Sequence, residues 1–470
     1  MQIIFSFDTE DFVDPASNDA LKALAEIHTR HDVPACFGLV GEKARFLRAC
    51  GRQDVIEAVA RHEVAYHSDH HFMLPDSSYE PVFTPEYMET NDWHRAVARL
   101  VAEEARGVHD VAEITGKRPA TWLRTYGDWA PQYLAAFDRV GIDVFAYGPP
   151  CHLEDTQPIW YCNQLVVANP RIMYEQNLHD PAMTAEEKLE AHKKAVIAHL
   201  ENGTERLGVV THPTRFISPI WWEEPNWWAG IDQAPARATW VVPPRFTRAQ
   251  TDEMLWIVDR FVRFIADLPD VTPTIFEAFR TEFVRPQPWL TREQVRQCAR
   301  DLGSAVHWTV VDGIPLSPAE MVALFVYALA NPDCERVPVR SMFGPTEEPV
   351  AGTSAKEMPR SALANDCRIL EHSLQDCACV PHCVRTAVGP VGPGSMLVAC
   401  AQALAAPDQQ TVTVPEDPGL PQPLHPDDYD KLGSRAPCTY IQKRGRFEFP
   451  KTTRLGQLQY WTVKPAACPP

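Results

Sequence analysis

The chain has no apolar stretch long enough to cross a bilayer. Its longest apolar helix-like run, residues 321–330, falls well short of the roughly 20 residues that a membrane helix needs. Basic charge is scarce as well. Lys and Arg total 44 against 62 Asp and Glu, a net charge of −18. That balance opposes nucleic acid and anionic membrane surfaces as partners, because both require a basic footprint. The start, Met1-Gln2-Ile3-Ile4-Phe5-Ser6-Phe7, lacks the basic segment, apolar core and cleavage site of a signal peptide. The expectation is a cytoplasmic protein, or an exported one whose leader has been removed. No internal repeat and no low-complexity tract is apparent. The 13 cysteines cannot all pair within one chain, because their number is odd.

A chain of 470 residues should hold more than one core. Hydrophobic residues at 45% and charged residues at 23% are ordinary for a globular protein. Only Cys36, Cys50, Cys151 and Cys162 precede residue 290. The remaining cysteines and many prolines lie beyond. This shift divides the chain into 1–285 and a Cys- and Pro-rich 286–470.

The first part alternates short apolar runs with helical periodicity. Residues 2–7, 33–40, 63–66, 120–123, 143–147 and 207–210 read as strands. Residues 18–30, 54–61, 93–111 and 131–140 read as helices, with apolar positions at helical spacing such as Leu21, Leu24 and Ile27. Thr184-Ala185-Glu186-Glu187 is a capping box that opens a further helix, and Thr247 caps another. Repeated strand–helix units predict an α/β fold with a parallel sheet, closed at this length into a (β/α) barrel. Beyond residue 285 helices are predicted over 291–302 and 317–329, within an otherwise irregular accessory domain.

The chemistry-bearing residues fall at predicted strand ends. His67 and His71 stand four apart, so two imidazoles can converge on one metal ion. The acidic cluster Asp8-Thr9-Glu10-Asp11 closes the first strand. Two imidazoles and one carboxylate leave a metal with open positions, as a hydrolytic site requires. Strand alternation puts Glu10 on the side of Asp8, whereas a turn after Thr9 would favour Asp11 as the ligand.

Four stretches, in this order, resemble the polysaccharide deacetylase family, the NodB homology domain of carbohydrate esterases. They are Phe5-Ser6-Phe7-Asp8-Thr9-Glu10-Asp11, His67-Ser68-Asp69-His70-His71, Tyr126-Gly127-Asp128-Trp129 and Val209-Val210-Thr211-His212. The resemblance spans residues 1 to about 280. It implies a distorted barrel and metal-dependent removal of N-acetyl groups from carbohydrate. His67, His71 and Glu10, or Asp11 in its place, would hold one divalent metal. Zinc is the expectation, and cobalt, nickel or ferrous iron suit the same ligands. Ser68 would brace the loop. Asp8 would be the catalytic base, the Tyr126 backbone N–H part of an oxyanion hole, and His212 the general acid. Arg124 stands one position from the family's arginine, which orients the base. Asp143 is the candidate for the carboxylate that tunes His212. The first motif departs from two adjacent aspartates, which admits a cyclic amide or ureide as substrate, or a non-catalytic carbohydrate-binding or scaffold protein.

Two further clusters stand out. Trp221-Trp222-Glu223-Glu224-Pro225-Asn226-Trp227-Trp228 follows His212 and could wall a sugar cleft or pack its own loop. Cys377, Cys379 and Cys383 are close enough in sequence to suggest a structural zinc.

Overall fold

The structure is a computed structural model. It describes residues 1–71, 85–125, 130–148, 157–227, 236–284, 288–352, 354–425, 428–430 and 450–466. Among the described residues the main sheet has eleven strands, ten of them from the first part of the chain: β1 (Gln2–Thr9), β2 (Cys36–Leu39), β3 (Glu63–Tyr66), β4 (Thr121–Leu123), β5 (Val144–Ala146), β6 (Ile159–Tyr161), β7 (Gln164–Val167), β8 (Arg171–Met173), β9 (Arg206–Thr211) and β10 (Thr272–Thr274). These ten run in the order β6-β7-β5-β4-β3-β2-β1-β9-β8, with β10 also on β1. Every ladder among them is parallel except β6 on β7.

Side-chain alternation along these strands decides the curvature. Ile4, Cys36, Ala65, Leu123, Val144, Ala146, Leu165, Val167 and Val210, from seven strands, pack into a single interior cluster. Their neighbours Ile3, Phe5, Phe7, Phe37, Val64, Tyr66, Trp122, Phe145 and Val209 face outward into the layer under the helices. A sheet whose alternate residues form one small inner core is a barrel. Phe276 and Phe279, from the helix Phe276–Phe283, plug the end where the strands begin. Closure is incomplete, because among the described residues β8, at one end of the sheet, forms no ladder with the strands at the other end. Tyr147, one residue past β5, spans the seam. Its hydroxyl bonds Ser6 Oγ on β1, and the Arg171 guanidinium lies 4.7 Å over its ring. The mixed α/β barrel is the architecture that the residue pattern led one to expect.

The later part of the chain has its own core, and its helices extend beyond those expected: Arg360–Cys377 and Pro393–Ala405 join Arg292–Leu302 and Pro318–Ala330. Contrary to the reading of the sequence, this part is an internal repeat. Strand, helix, hairpin, helix and strand follow one another from Trp289 to Pro338, and again from Lys356 to Val414. In each copy the outer strands pair antiparallel, Leu290 opposite Val337 and Met358 opposite Val412. From hairpin to second helix the copies are offset by 75 (318 to 393). Pro315, Pro318, Met321, Ala328, Leu329, Ala330, Pro332 and Asp333 recur there as Pro390, Pro393, Met396, Ala403, Leu404, Ala405, Pro407 and Asp408. Over the first strand and the start of the first helix the offset is 68 (292 to 360). The first helix has 11 residues in one copy and 18 in the other, so two extra helical turns absorb the change of offset.

Arg292 and Arg360 open equivalent helices and do the same work. Arg292 donates to the carbonyls of Ala328, Asn331 and Cys334, and Arg360 to those of Ala403 and Ala406. Each satisfies the orphan carbonyls at the C-terminus of its own copy's second helix. The first helix of each copy packs on the second helix of the other. A single copy would leave its second helix bare: every residue from Pro318 to Val326 is buried.

The last described segment joins both cores. Leu455, Leu458, Tyr460 and Val463 enter the barrel's outer cluster, while Trp461 enters the core of the repeats. Lys464–Pro465 adds antiparallel to β6, and Lys464 Nζ meets both oxygens of Glu320 at 2.6 and 2.7 Å. Among the described residues no helix is long and apolar enough to cross a membrane.

Candidate active site

The strands' carboxyl ends gather the polar residues. β1 runs extended through Thr9, so Ser6 and Asp8 point inward and Glu10 follows just past the strand end. β3 ends at Tyr66, after which Ser68 and His71 take positive φ values of 67° and 52°. That backbone costs energy in non-glycine residues and persists where the surroundings hold it. Here the Ser68 Oγ accepts from the His71 backbone N–H at 3.0 Å. The turn folds the second imidazole back towards the first.

Glu10, His67 and His71 form a buried group whose donor atoms all lie within 4.8 Å of one another. Glu10 Oε2 stands 2.5 Å from His71 Nε2 and 3.7 Å from His67 Nε2. His67 Nδ1 lies 2.9 Å from the Leu123 carbonyl, an acceptor that fixes the proton on that nitrogen and leaves Nε2 for a ligand. Among the described residues the buried His67 Nε2 has no hydrogen-bond partner. A buried, unpartnered imidazole nitrogen aimed at a second imidazole and a carboxylate fits a divalent cation. Burial pushes the Glu10 carboxyl up in pKa, but the imidazoles of His71 and His67 outweigh it and hold it well below the usual range.

Asp11 stands outside this group and has other partners. Its Oδ1 accepts from the backbone N–H groups of Val13 and Asp14, both at 2.9 Å, and its Oδ2 accepts from Thr214 Oγ1 at 3.1 Å. Asp11 therefore pins the turn after β1 to the loop after β9. Lys43, buried behind it, donates to the Asp11 carbonyl, to Ser17 Oγ and to Asn18 Oδ1. His70 takes no place in the group of Glu10, His67 and His71. It lies between Asp69, at 3.0 Å, and Glu42, at 3.3 Å; burial lowers its pKa, but the two carboxylates raise it to about 9.

Asp8 and His212 lie beside this group. His212 Nε2 is 3.4 Å from Asp8 Oδ2, and its Nδ1 is 2.8 Å from Glu175 Oε1. Burial lowers the pKa of His212, yet Glu175 and Asp8 outweigh it and raise the imidazolium well above 6.5. Burial likewise raises Asp8, and His67 and His212 bring it below its ordinary value. A cationic imidazole beside an ionised carboxylate can give a proton at one atom while the carboxylate takes one at another.

Glu175 was not foreseen. It sits on a single turn, Glu175–Leu178, directly after β8, and the Tyr174 N–H bonds the Val210 carbonyl two residues before His212. Only the pairing of β8 with β9 brings it there. Asp143, the sequence candidate for this role, lies before β5 at the opposite end of the barrel and is ion-paired with Arg280 at 2.7 Å. Arg124 donates to the Gly148 carbonyl at 3.0 Å. Tyr126, with Gly127, Asp128 and Trp129, lies outside the described residues.

The tryptophan-rich loop divides its labour. Trp222 is buried and donates its indole N–H to Glu10 Oε1 at 3.1 Å. Trp221 sets its ring edge-to-face with His212 at 4.7 Å, and Arg215 stacks on it at 5.0 Å. Asn226 braces the loop by accepting from the Val241 N–H at 2.7 Å and donating to the Val241 carbonyl at 2.8 Å. The cysteine cluster does not assemble. Among the described residues two groups of three His, Cys, Asp or Glu converge, and neither includes a cysteine. Cys377 is exposed, Cys379 buried and Cys383 in between.

No family model and no curated protein matches this chain. Solved structures do. A family 4 carbohydrate esterase from Streptomyces lividans is similar at 13% identity, over 56% of this chain and 88% of that one, with a TM-score of 0.29. A family 4 acetyl xylan esterase from Clostridium thermocellum matches at 13% identity, over 61% and 93%, with a TM-score of 0.32. The Puue allantoinase matches at 13% identity, over 60% and 89%, with a TM-score of 0.39. None of them is alike enough to carry an activity over to this chain.

Proposed function

We propose that the protein is a metal-dependent amide hydrolase that removes the acetyl group from an N-acetylated carbohydrate. The observation that carries this reading is the meeting, at one end of one barrel, of two imidazoles and a glutamate with an Asp8–His212 pair. Glu10, His67 and His71 would hold the ion. A divalent cation there would polarise an amide carbonyl and make a water acidic enough to attack near neutral pH. Asp8, ionised and 3.4 Å from His212, would take the proton from the attacking water. His212, kept cationic by Glu175, would give its Nε2 proton to the departing amine. Tyr126 would add its backbone N–H to the oxyanion. Trp221 beside His212 supplies an aromatic wall suited to a sugar ring.

A second reading keeps the same residues and changes the substrate to a cyclic amide or ureide. What favours it is Glu10: the carboxylate beside the imidazoles comes two residues after Asp8 instead of one. One experiment separates the readings. Purified protein is reconstituted with zinc, cobalt or nickel, assayed for bound metal, and given N-acetylglucosamine oligomers, with Asp8→Asn as control. Acetate released by the wild type and lost in the variant supports the deacetylase. Bound metal with no acetate, but with turnover of a cyclic amide, supports the second reading. No metal bound under any condition sinks both and leaves a non-catalytic carbohydrate-binding protein.

A further inference from the structure

We infer that Trp222 is a positioning residue for the Glu10 carboxylate: its indole N–H holds one oxygen so that the other alone faces the two imidazoles. The inference rests on reading Glu10, His67 and His71 as a metal site. Glu10 reaches that site from beyond the strand end and on a stem one methylene longer than an aspartate's. A free glutamate of this kind could rotate its carboxylate and offer a cation both oxygens. Trp222 removes that freedom. Its N–H lies 3.1 Å from Oε1, while Oε2 stands 2.5 Å from His71 Nε2. An indole N–H only donates, so it can neither bind a cation nor release one, and buried indole nitrogens need a partner.

The residues around Trp222 hold it still. Its ring packs on Phe12 at 4.8 Å and on His71 at 5.9 Å, and Val40 completes the cluster. Arg237 lies over Phe12 at 4.9 Å and over Trp240 at 5.3 Å, and is itself tied to Glu42 at 3.1 Å. Phe12 comes from the turn that carries Glu10, so the acidic turn holds the indole that in turn holds its carboxylate. The chemical consequence is ligation through one oxygen. With two imidazoles and one carboxylate oxygen, a cation keeps positions for a water and a carbonyl; a two-oxygen glutamate would close one of them.

The test compares the full-length wild type with Trp222→Phe, which keeps the ring and loses the donor. Co2+ affinity is measured by competition with a chelator, and the visible Co2+ spectrum reports coordination number. The expected result is affinity weaker by about 10- to 100-fold and weaker visible bands, as coordination number rises with a two-oxygen Glu10. Equal affinity and an unchanged spectrum would overturn the inference while leaving the metal site standing. Wild type that binds no Co2+ would overturn both. A second measurement does not depend on the folding of Trp222→Phe. In the 15N–1H spectrum of the wild type, one indole N–H signal should shift on adding Zn2+ and in Glu10→Ala. If no indole signal moves in either case, the inference fails.

Discussion

Glu175→Gln tests the acid half of the site. The substitution removes one negative charge 2.8 Å from His212 Nδ1 and leaves the size of the side chain unchanged. In the wild type, burial pulls the pKa of His212 down, and Glu175, with Asp8, lifts it well above 6.5. An opposite charge at this range shifts a pKa by about 1 to 3, which is about 1.4 to 4 kcal/mol between the two protonation states. His212 and Glu175 are both buried, so solvent screens little of this. A general acid works only while protonated, so kcat/KM falls as pH rises through its pKa. Loss of the carboxylate should therefore move the alkaline limb of the pH profile acidward by about 1 to 3. Above the new limb, activity should drop about tenfold for each unit of the move. The acidic limb, which the proposed mechanism assigns to Asp8 and the imidazoles of His67 and His71, should stay. The assay is kcat/KM across the neutral and alkaline range on whichever substrate the wild type turns over. An alkaline limb that stays where it was would refute the reasoning, and so would a uniform loss at every pH.

Asp11→Asn removes a charged acceptor from two backbone amides and Thr214; it should lower stability to urea by about 1 to 3 kcal/mol yet leave metal stoichiometry intact, and loss of metal would return Asp11 to the ligand set. Glu63, buried at the plugged end of the barrel and accepting from Thr121 Oγ1 at 2.6 Å, has its pKa pushed by burial from 4.5 to about 7. The native state thus keeps a proton that the unfolded chain releases, so this contribution is full below about 4.5 and fades as pH rises through about 7, up to about 3 kcal/mol. Glu63→Gln should flatten that dependence, seen as a urea midpoint that gains on the wild type towards alkaline pH; parallel curves would count against it. Lys464→Met strands Glu320 in a buried setting and should cost about 3 to 5 kcal/mol, partly recovered when Glu320→Gln is added; a loss below about 1 kcal/mol in calorimetry would show that the last segment does not clamp the two cores.

The repeat in the later part was present in the residues but hard to read. Its recurring positions are few and mostly proline, alanine and leucine, and seven extra residues in one helix break a single period into offsets of 68 and 75. Insertion of two whole helical turns preserves the face that packs and hides the kinship. The equivalence of Arg292 and Arg360 becomes evident only once each is seen on the equivalent carbonyls of its own copy.

Local chemistry by itself determined a good deal. Period-two and helical patterns with capping boxes at Thr184 and Thr247 specify the strand–helix alternation, and alternation along β1 already puts Glu10 with Asp8. The spacing of His67 and His71, with Ser68 between them, is likewise a property of the chain, although the left-handed backbone at Ser68 and His71 that turns one imidazole towards the other is held by the fold. What only the tertiary structure decided are the partners from distant segments. Glu175 reaches His212 because β8 lies on β9, Trp222 reaches Glu10 across 212 positions, and Thr214 occupies Asp11 across 203. No local pattern encodes such meetings. They follow from which strands become neighbours when the barrel curls, and that depends on how the whole set of inward and outward side chains packs.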